Sequence, residues 1–213
     1  YSELADRDLV IEAVIESPEV KAKVFSTLDE IVQPDGILAS NTSSISIGEI
    51  ATATSRGEKV LGMHFFNPVP IMKLLELVQH DEVSDSTIEF AREIGAAMGK
   101  SCILVNDVPG FATSRLGVVL GNEAIRMLAD GVASATDIDT AMRLGYRHPM
   151  GPLELSDLVG LDVRCDILNS LAESFGDDSY RPHDLLEKLV SEGLSLIHIS
   201  EPTRRYAISY AVF

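Results

Sequence analysis

The feature that most constrains this chain is a change of periodicity near residue 107. Before that point, short β-branched apolar runs alternate with stretches of helical spacing, and the last such run is SCILVN at 101–106. After it, long helical patterns cover residues 111–129, 136–144, 153–175 and 185–191. Alternating strands and helices predict βα units on a largely parallel sheet, whereas the later pattern predicts helices alone. We therefore expect an α/β domain over residues 1–107 and an all-helical domain over residues 108–193.

The charge balance argues against several classes of partner. The chain has 17 basic and 33 acidic side chains, a formal net charge of -16, which repels nucleic acid and anionic membrane surfaces. No apolar run reaches the ~18 residues that a membrane-spanning helix needs. Cys102 and Cys165 stand in apolar contexts without the close spacing of a metal site. We expect a cytoplasmic protein with reduced thiols, no bound metal and no nucleic-acid or membrane partner.

One group of residues suggests chemistry. His64 ends an apolar strand, Glu76 lies in the following strand, and Ser43 follows the strand before. The turn NPVP at 67–70 reverses the chain, so the strand that carries Glu76 is expected to run back beside His64. A carboxylate on one ring nitrogen fixes the tautomer and leaves the other nitrogen to take a proton, as a general base requires. A structural histidine with a surface glutamate remains the alternative.

Other enzyme classes receive less support from the residues. A nucleophilic serine of the hydrolase type sits in a G-x-S-x-G turn, and Ser43 has no glycine on either side. The remaining histidines lack the spacing of a zinc site. The chain contains no G-x-G-x-x-G, so its residues do not themselves indicate a dinucleotide site. The residues alone predict an α/β enzyme with its site in the crevice at the ends of the strands.

Five segments, taken in order, resemble the 3-hydroxyacyl-CoA dehydrogenase family. They are DLVIEAVIESPEVK (8–21), ASNTSSISI (39–47), GMHFFNPVPIMKLLE (62–76), DVPGFATSR (107–115) and GYRHPMGPLELSDLVGLD (145–162). The resemblance implies a partial Rossmann-type domain followed by an all-α dimerisation domain, with NAD as cofactor and an acyl-CoA as substrate. It also implies a homodimer. The implied reaction is oxidation of a (3S)-3-hydroxyacyl-CoA, with 3-hydroxybutyryl-CoA favoured, in fatty acid or butanoate metabolism. Alternatives are a dehydrogenase of another hydroxy acid or of carnitine, or a non-catalytic acyl-CoA-binding or dimerising piece.

The same resemblance assigns roles to individual residues. It implies that His64 is the base that removes the 3-hydroxyl proton and that Glu76 holds and polarises it. Ser43 would donate a hydrogen bond to the developing carbonyl and would lie near both the cofactor and the substrate. Three further residues are implied to line the cofactor: Glu16, Lys21 and Asn67. For these three an ordinary helix entrance or turn is the competing interpretation.

The sequence departs from the family pattern in three places. The glycine-rich turn of the family lies upstream of Tyr1, so we expect an N-terminally truncated chain that binds NAD poorly and shows little turnover. Ser114 stands where most relatives have an asparagine that contacts the acyl group, and its hydroxyl has a shorter reach. Residues 194–213 do not match the closing motif of the family and read like a translated sequencing adaptor. We expect that segment to be a non-native tail.

Overall fold

The computed structural model describes residues 1–193, which fall into two compact units, Tyr1–Phe111 and a second unit that begins at Ala112. The predicted tail lies outside the described residues. The first unit contains the strands β1 (Leu9–Glu12), β2 (Ile37–Ser40), β3 (Val60–Phe65), β4 (Leu74–Gln79) and β5 (Ser101–Asn106). Its helices are α1 (Pro18–Ile31), α2 (Ile47–Ala51) and α3 (Asp85–Ala97). Single 3-10 turns cover Ser2–Leu4 and Gly57–Lys59.

The five strands form one sheet in sequence order. The pairs β1–β2, β2–β3 and β4–β5 are parallel, and β3–β4 is antiparallel. The predicted α/β class, with a largely parallel sheet, is thus confirmed. The antiparallel pairing of β3 and β4 shows that the chain reverses between them, as predicted for residues 67–70. Strand β2 is buried along its whole length, as expected for an interior strand of the sheet that is covered on both faces.

The second unit is entirely helical in its described part. Its helices are α4 (Thr113–Ala129), α5 (Ala135–Gly145), α6 (Pro152–Val159), α7 (Leu161–Phe175) and α8 (Asp184–Ser191), with a 3-10 turn at Asp178–Tyr180. The sequence predicted one continuous helix over residues 153–175, and that prediction was wrong. Gly160 breaks it with a φ of 104°, a conformation that side-chain-bearing residues rarely adopt.

The helices of this unit pack closely where the sequence has small residues. A Cβ atom on Gly121 would lie 2.3 Å from Nη1 of Arg164 and 2.9 Å from Oγ of Ser156. The carbonyl of Gly117, one turn earlier, accepts a hydrogen bond from Nη1 of Arg164 at 2.8 Å. Glycine at 121 therefore lets α4 approach α6 and α7. Within residues 1–193, no helix has the length and apolar character needed to cross a bilayer.

Candidate active site

His64 and Glu76 face each other across the antiparallel pair β3–β4. They are direct register partners, and directly opposed residues project from the same face of a sheet. Nδ1 of His64 lies 2.7 Å from Oε2 of Glu76. Glu76 is completely buried and His64 is 5 % exposed. The predicted approach of these two side chains is confirmed, whereas their catalytic role stays a prediction.

Ser43 contacts the other nitrogen of the imidazole. It lies in the loop of residues 41–46 that joins β2 to α2, and its Oγ is 3.2 Å from Nε2 of His64. A carboxylate at Nδ1 requires a proton on that nitrogen, so Nε2 of the neutral ring carries the lone pair and accepts from the hydroxyl. The ring is held at both nitrogens, and the basic one points toward the 41–46 loop.

Two aromatic rings surround this imidazole. The ring centroid of Phe66 is 4.5 Å from that of His64, and the centroid of Phe111 is 5.8 Å away. Apolar neighbours reduce the access of water to a base and strengthen its hydrogen bonds. Neither phenylalanine was among the predicted site residues. Phe66 stands in the same sequence block as His64, but Phe111 is distant in sequence and only the fold brings it there.

Glu16 holds the 41–46 loop through a cluster of hydrogen bonds. Its Oε1 accepts from Oγ1 of Thr42, from the backbone N–H of Ser43 at 3.0 Å, and from N–H and Oγ of Ser44 at 3.2 Å each. Burial alone would raise the pKa of Glu16. The hydrogen bonds from Thr42, Ser43 and Ser44 and the charge of Lys21 outweigh it, so the pKa lies below its usual value. Glu16 is thus ionised at neutral pH and fixes the backbone that presents Ser43.

The order Ser43, His64, Glu76 also has the geometry of a hydrolytic triad. Such an enzyme needs backbone N–H groups aimed at the oxyanion that forms during acyl transfer. The N–H groups of Ser43 and Ser44 instead donate to the carboxylate of Glu16. The arrangement therefore favours Ser43 as a hydrogen-bonding partner over Ser43 as an acyl nucleophile.

Lys21 lies inside the first unit and not on its surface. It shares the buried face of α1 with Phe25 and Leu28, and it is 1 % exposed. Its Nζ is 2.8 Å from Oε1 of Glu12 and 3.4 Å from Oε2 of Glu16. Its described contacts are thus internal, and its assignment to the cofactor remains a prediction. Glu12 was missed from the sequence, although an acidic residue in an apolar strand was the available signal.

The last two predicted site residues lie in separate units. Asn67 is exposed and follows β3 by two positions, beyond His64 on the same strand end. Ser114 is half-buried near the start of α4, in the second unit. The structure therefore gathers Glu16, Ser43, His64 and Glu76 in the first unit. The acyl-group role of Ser114 remains a prediction.

The polar groups at the carboxyl ends of β1 to β3 suit part of a dinucleotide. Open α/β sheets bind their ligands at this end of the strands. Glu16 offers a carboxylate of the kind that accepts ribose hydroxyls, and Ser43 and Asn67 offer short polar side chains for a carboxamide. These residues fit the nicotinamide and ribose end of NAD. The 213 residues contain no G-x-G-x-x-G turn for its pyrophosphate.

Comparison with known proteins agrees with this geometry. Residues 1–108 match the family model described as "3-hydroxyacyl-CoA dehydrogenase, NAD binding domain", and residues 110–196 match "3-hydroxyacyl-CoA dehydrogenase, C-terminal domain". A 3-hydroxybutyryl-CoA dehydrogenase of Clostridioides difficile is 50 % identical over 190 residues, which are 89 % of this chain and 68 % of the relative. A probable 3-hydroxybutyryl-CoA dehydrogenase of Deinococcus radiodurans is 46 % identical over 90 % of this chain and 69 % of the relative.

A solved structure gives the same result. The (S)-3-hydroxybutyryl-CoA dehydrogenase PaaH1 from Ralstonia eutropha superposes with a TM-score of 0.89 at 42 % identity. The alignment covers 92 % of this chain and 69 % of that one. The backbone that places Ser43, His64 and Glu76 is thus similar to an arrangement found in a crystal structure.

Proposed function

The chain belongs to the 3-hydroxyacyl-CoA dehydrogenase family, and we propose that it interconverts (3S)-3-hydroxybutyryl-CoA and acetoacetyl-CoA with NAD as the oxidant. The observation that carries the proposal is the buried pair of His64 and Glu76, with Ser43 on the free ring nitrogen. The names of the relatives support the short acyl chain, because one at 50 % identity is named 3-hydroxybutyryl-CoA dehydrogenase and one at 46 % is named probable 3-hydroxybutyryl-CoA dehydrogenase.

The proposed chemistry follows from what each side chain can do. NAD, when bound, supplies the acceptor for the hydride that leaves C3. Nε2 of His64 takes the proton of the 3-hydroxyl group as the C–O bond becomes a carbonyl. The carboxylate of Glu76 stabilises the imidazolium that forms, since it lies 2.7 Å from Nδ1. The hydroxyl of Ser43, 3.2 Å from Nε2, donates to the carbonyl oxygen as it develops.

The proposal is tested on this chain with the glycine-rich turn of the family joined to its N-terminus, by measuring NADH oxidation driven by acetoacetyl-CoA with NADH in excess. Replacing His64 by Ala should lower the rate by roughly 10²- to 10⁴-fold, the usual contribution of a general base. His80→Ala is the matched control, because Nε2 of His80 donates to the carbonyls of Gly57 and Val60 instead of a carboxylate. Unchanged turnover in His64→Ala contradicts the mechanism. Release of free CoA thiol without NADH oxidation would indicate hydrolysis.

We further propose that the helical unit forms a homodimer and that the enzyme works in the cytoplasm. Several large apolar side chains of α4, α6 and α7 are exposed: Leu116, Val119, Leu158, Val159 and Val163. Helices that leave such residues in water gain by burying them against a second copy. Sedimentation equilibrium should give twice the 23.1 kDa mass of the chain, and a single-chain mass contradicts the dimer. The free thiols of Cys102 and Cys165 suit a reducing compartment.

A further inference from the structure

Residues 107–111 connect β5 to the end of the first unit, and the proposed chemistry assigns them no role. We propose that this 107–111 segment positions the reacting side chains, through Asp107 at the 41–46 loop and through Phe111 at the imidazole of His64. The inference rests on the proposed function for its catalytic meaning. Its structural part stands on contacts within the first unit.

Asp107 fastens the far end of the 41–46 loop. Its Oδ2 accepts from Oγ of Ser46 and from the backbone N–H of Gly48, each at 2.8 Å. Its own N–H donates to the carbonyl of Gln79 at 2.8 Å, so the backbone of Asp107 is tied to the end of β4. Ser46 is also the N-cap of α2, where its Oγ accepts from the N–H of Glu49. Asp107 thus holds the point at which the loop becomes helix.

The loop is consequently anchored by two carboxylates. Glu16 accepts from Thr42, Ser43 and Ser44, and Asp107 accepts two residues further along, at Ser46. A loop outside regular structure samples many conformations unless its backbone groups are fixed. Ser43 is bound directly by Glu16 and lies three residues before the Asp107 anchor at Ser46, so both carboxylates determine how long its Oγ stays within 3.2 Å of Nε2 of His64. Loss of the Asp107 anchor should lower the occupancy of that contact.

Phe111 contacts His64, the partner of Ser43 in this hydrogen bond. It is 4 % exposed, and its ring lies 5.8 Å from the imidazole of His64 at an interplanar angle of 60°. Its φ of 46° is in the left-handed region, which is strained for a residue with a side chain. The N–H of Phe111 donates to the carbonyl of Val108 and closes the turn. This strained backbone holds the Phe111 ring beside the imidazole of His64.

The first test uses the nitrogen-15 resonances of the His64 ring, measured on the full chain without cofactor. Asp107→Ala and Ser46→Ala should shift the Nε2 resonance, because the hydrogen bond from Ser43 weakens. Asp107→Asn keeps one acceptor oxygen and should therefore cause a smaller shift than Asp107→Ala. Ser84→Ala is the matched control, since Ser84 caps α3 through Thr87 and does not reach the 41–46 loop. Equal Nε2 shifts in Ser46→Ala and Ser84→Ala, or none in the Asp107 variants, overturn the proposal.

The second test concerns Phe111. Phe111→Leu should move the carbon-bound proton resonances of the His64 ring, because the ring current of Phe111 is lost. Phe25→Leu removes an equally buried ring from the same cluster, and no ring contact joins Phe25 to His64 in the described part of the chain. Similar proton shifts in both variants would contradict a positioning role for Phe111 and would indicate that it only packs in the core.

Turnover separates this inference from the proposed function. In acetoacetyl-CoA reduction, Asp107→Ala should lower kcat by roughly three- to tenfold, the value of one hydrogen bond, with little change in KM. Resonance shifts without turnover in the unsubstituted protein that carries the glycine-rich turn contradict the proposed function and leave the positioning role intact. Turnover that is unchanged in Asp107→Ala, with unmoved resonances, contradicts the positioning role alone.

Discussion

The two units of this protein bury polar side chains for different purposes. In the first unit, six buried polar side chains converge on one loop and one imidazole: Glu12, Lys21, Ser40, Thr42, His64 and Glu76. Two others, Arg56 and Thr87, donate to backbone carbonyls instead. In the second, buried polar groups connect helix ends and backbone carbonyls: Asn122, Asp139, Ser156, Asp157 and Arg164. The first set surrounds a ring nitrogen of His64 that can exchange a proton. The second set stabilises the packing of the helices.

Two contacts in the helical unit illustrate this structural use. Asn122 donates through Nδ2 to the carbonyl of Arg181 at 2.9 Å and accepts from the N–H of His183 at 3.0 Å. Asp139 accepts from the N–H groups of Leu153 at 2.8 Å and Glu154 at 3.0 Å, at the start of α6. Both side chains satisfy backbone groups that have no partner inside a helix. Burial of a charged residue therefore does not by itself identify a catalytic site.

The largest effect expected from this comparison is on the stability of the second unit. Arg164 is 2 % exposed, and burial lowers its pKa to about 10 while the charge of Asp157 opposes the shift. Arg164→Met removes a buried cation whose charge acts on the carboxylate of Asp157 and which donates to the carbonyl of Gly117 at 2.8 Å, so it should cost about 3 to 5 kcal/mol in the free energy of unfolding. Urea denaturation followed by far-ultraviolet circular dichroism measures it.

The matched control for this substitution is Arg126→Met on α4. Arg126 pairs with Glu123 at 3.5 Å, and its side chain is 42 % exposed, so the loss should be below about 1 kcal/mol. The His64 resonances should stay in place in both variants. Equal costs for the two arginines would mean that burial in this unit does not determine the energetics.

The second prediction concerns charge in the first unit. Glu76→Gln keeps an oxygen near Nδ1 of His64 but removes the negative charge that stabilises the imidazolium. A hydrogen bond to a charged group is worth more than a neutral one by about 1 to 2 kcal/mol, so kcat should fall by roughly 5- to 30-fold. Steady-state kinetics with acetoacetyl-CoA and NADH gives the value.

Comparing this variant with Arg164→Met sharpens the contrast between units. Glu76→Gln should affect the rate more than the urea midpoint, and Arg164→Met the reverse. Glu89→Gln, whose carboxylate is 67 % exposed on α3, is the control and should change neither. A large loss of stability with normal turnover in Glu76→Gln would show that this carboxylate stabilises the fold and does not assist His64 in catalysis.

The sequence predicted the centre of the site better than its surroundings. His64 and Glu76 are separated by 12 residues and one reversing turn, so the pattern of two short strands was sufficient to pair them. Ser46 and Asp107 are 61 residues apart, and their contact follows from the packing of α2 on the sheet, which no local pattern encodes. Contacts of this range depend on tertiary structure and are missed by periodicity.

The helical unit shows a different kind of failure. Residues 153–175 keep helical periodicity on both sides of Gly160, so the pattern predicted one helix. A glycine inside such a stretch is compatible with either a continuous helix or a break, and only the packing of α6 and α7 decides.

The burial of Lys21 in the first unit could not be predicted from the sequence either, because a lysine near the start of a helix is usually solvated.

The smallest predicted effect is a pair of opposite pH dependences. The pKa of Glu16 is lowered from 4.5 in the folded state, despite burial, by its hydrogen bonds from Thr42, Ser43 and Ser44 and by the charge of Lys21. Its contribution to stability is therefore present above pH 4.5 and lost as the pH falls through the folded pKa. The pKa of Asp139 is raised from 3.8, because burial outweighs the N–H groups of Leu153 and Glu154. In the folded state Asp139 binds its proton first, so its contribution becomes more favourable as the pH falls toward 3.8.

Urea midpoints of Glu16→Gln and Asp139→Asn between about pH 6 and pH 3 test both signs. The difference between the parent chain and Glu16→Gln should shrink on acidification, and the difference for Asp139→Asn should move the other way. The Glu16 side chain is 41 % exposed and its interactions are screened, so its effect should stay below about 1 kcal/mol. Changes of the same sign in both variants would contradict the distinction between a carboxylate held by hydrogen bonds and one dominated by burial.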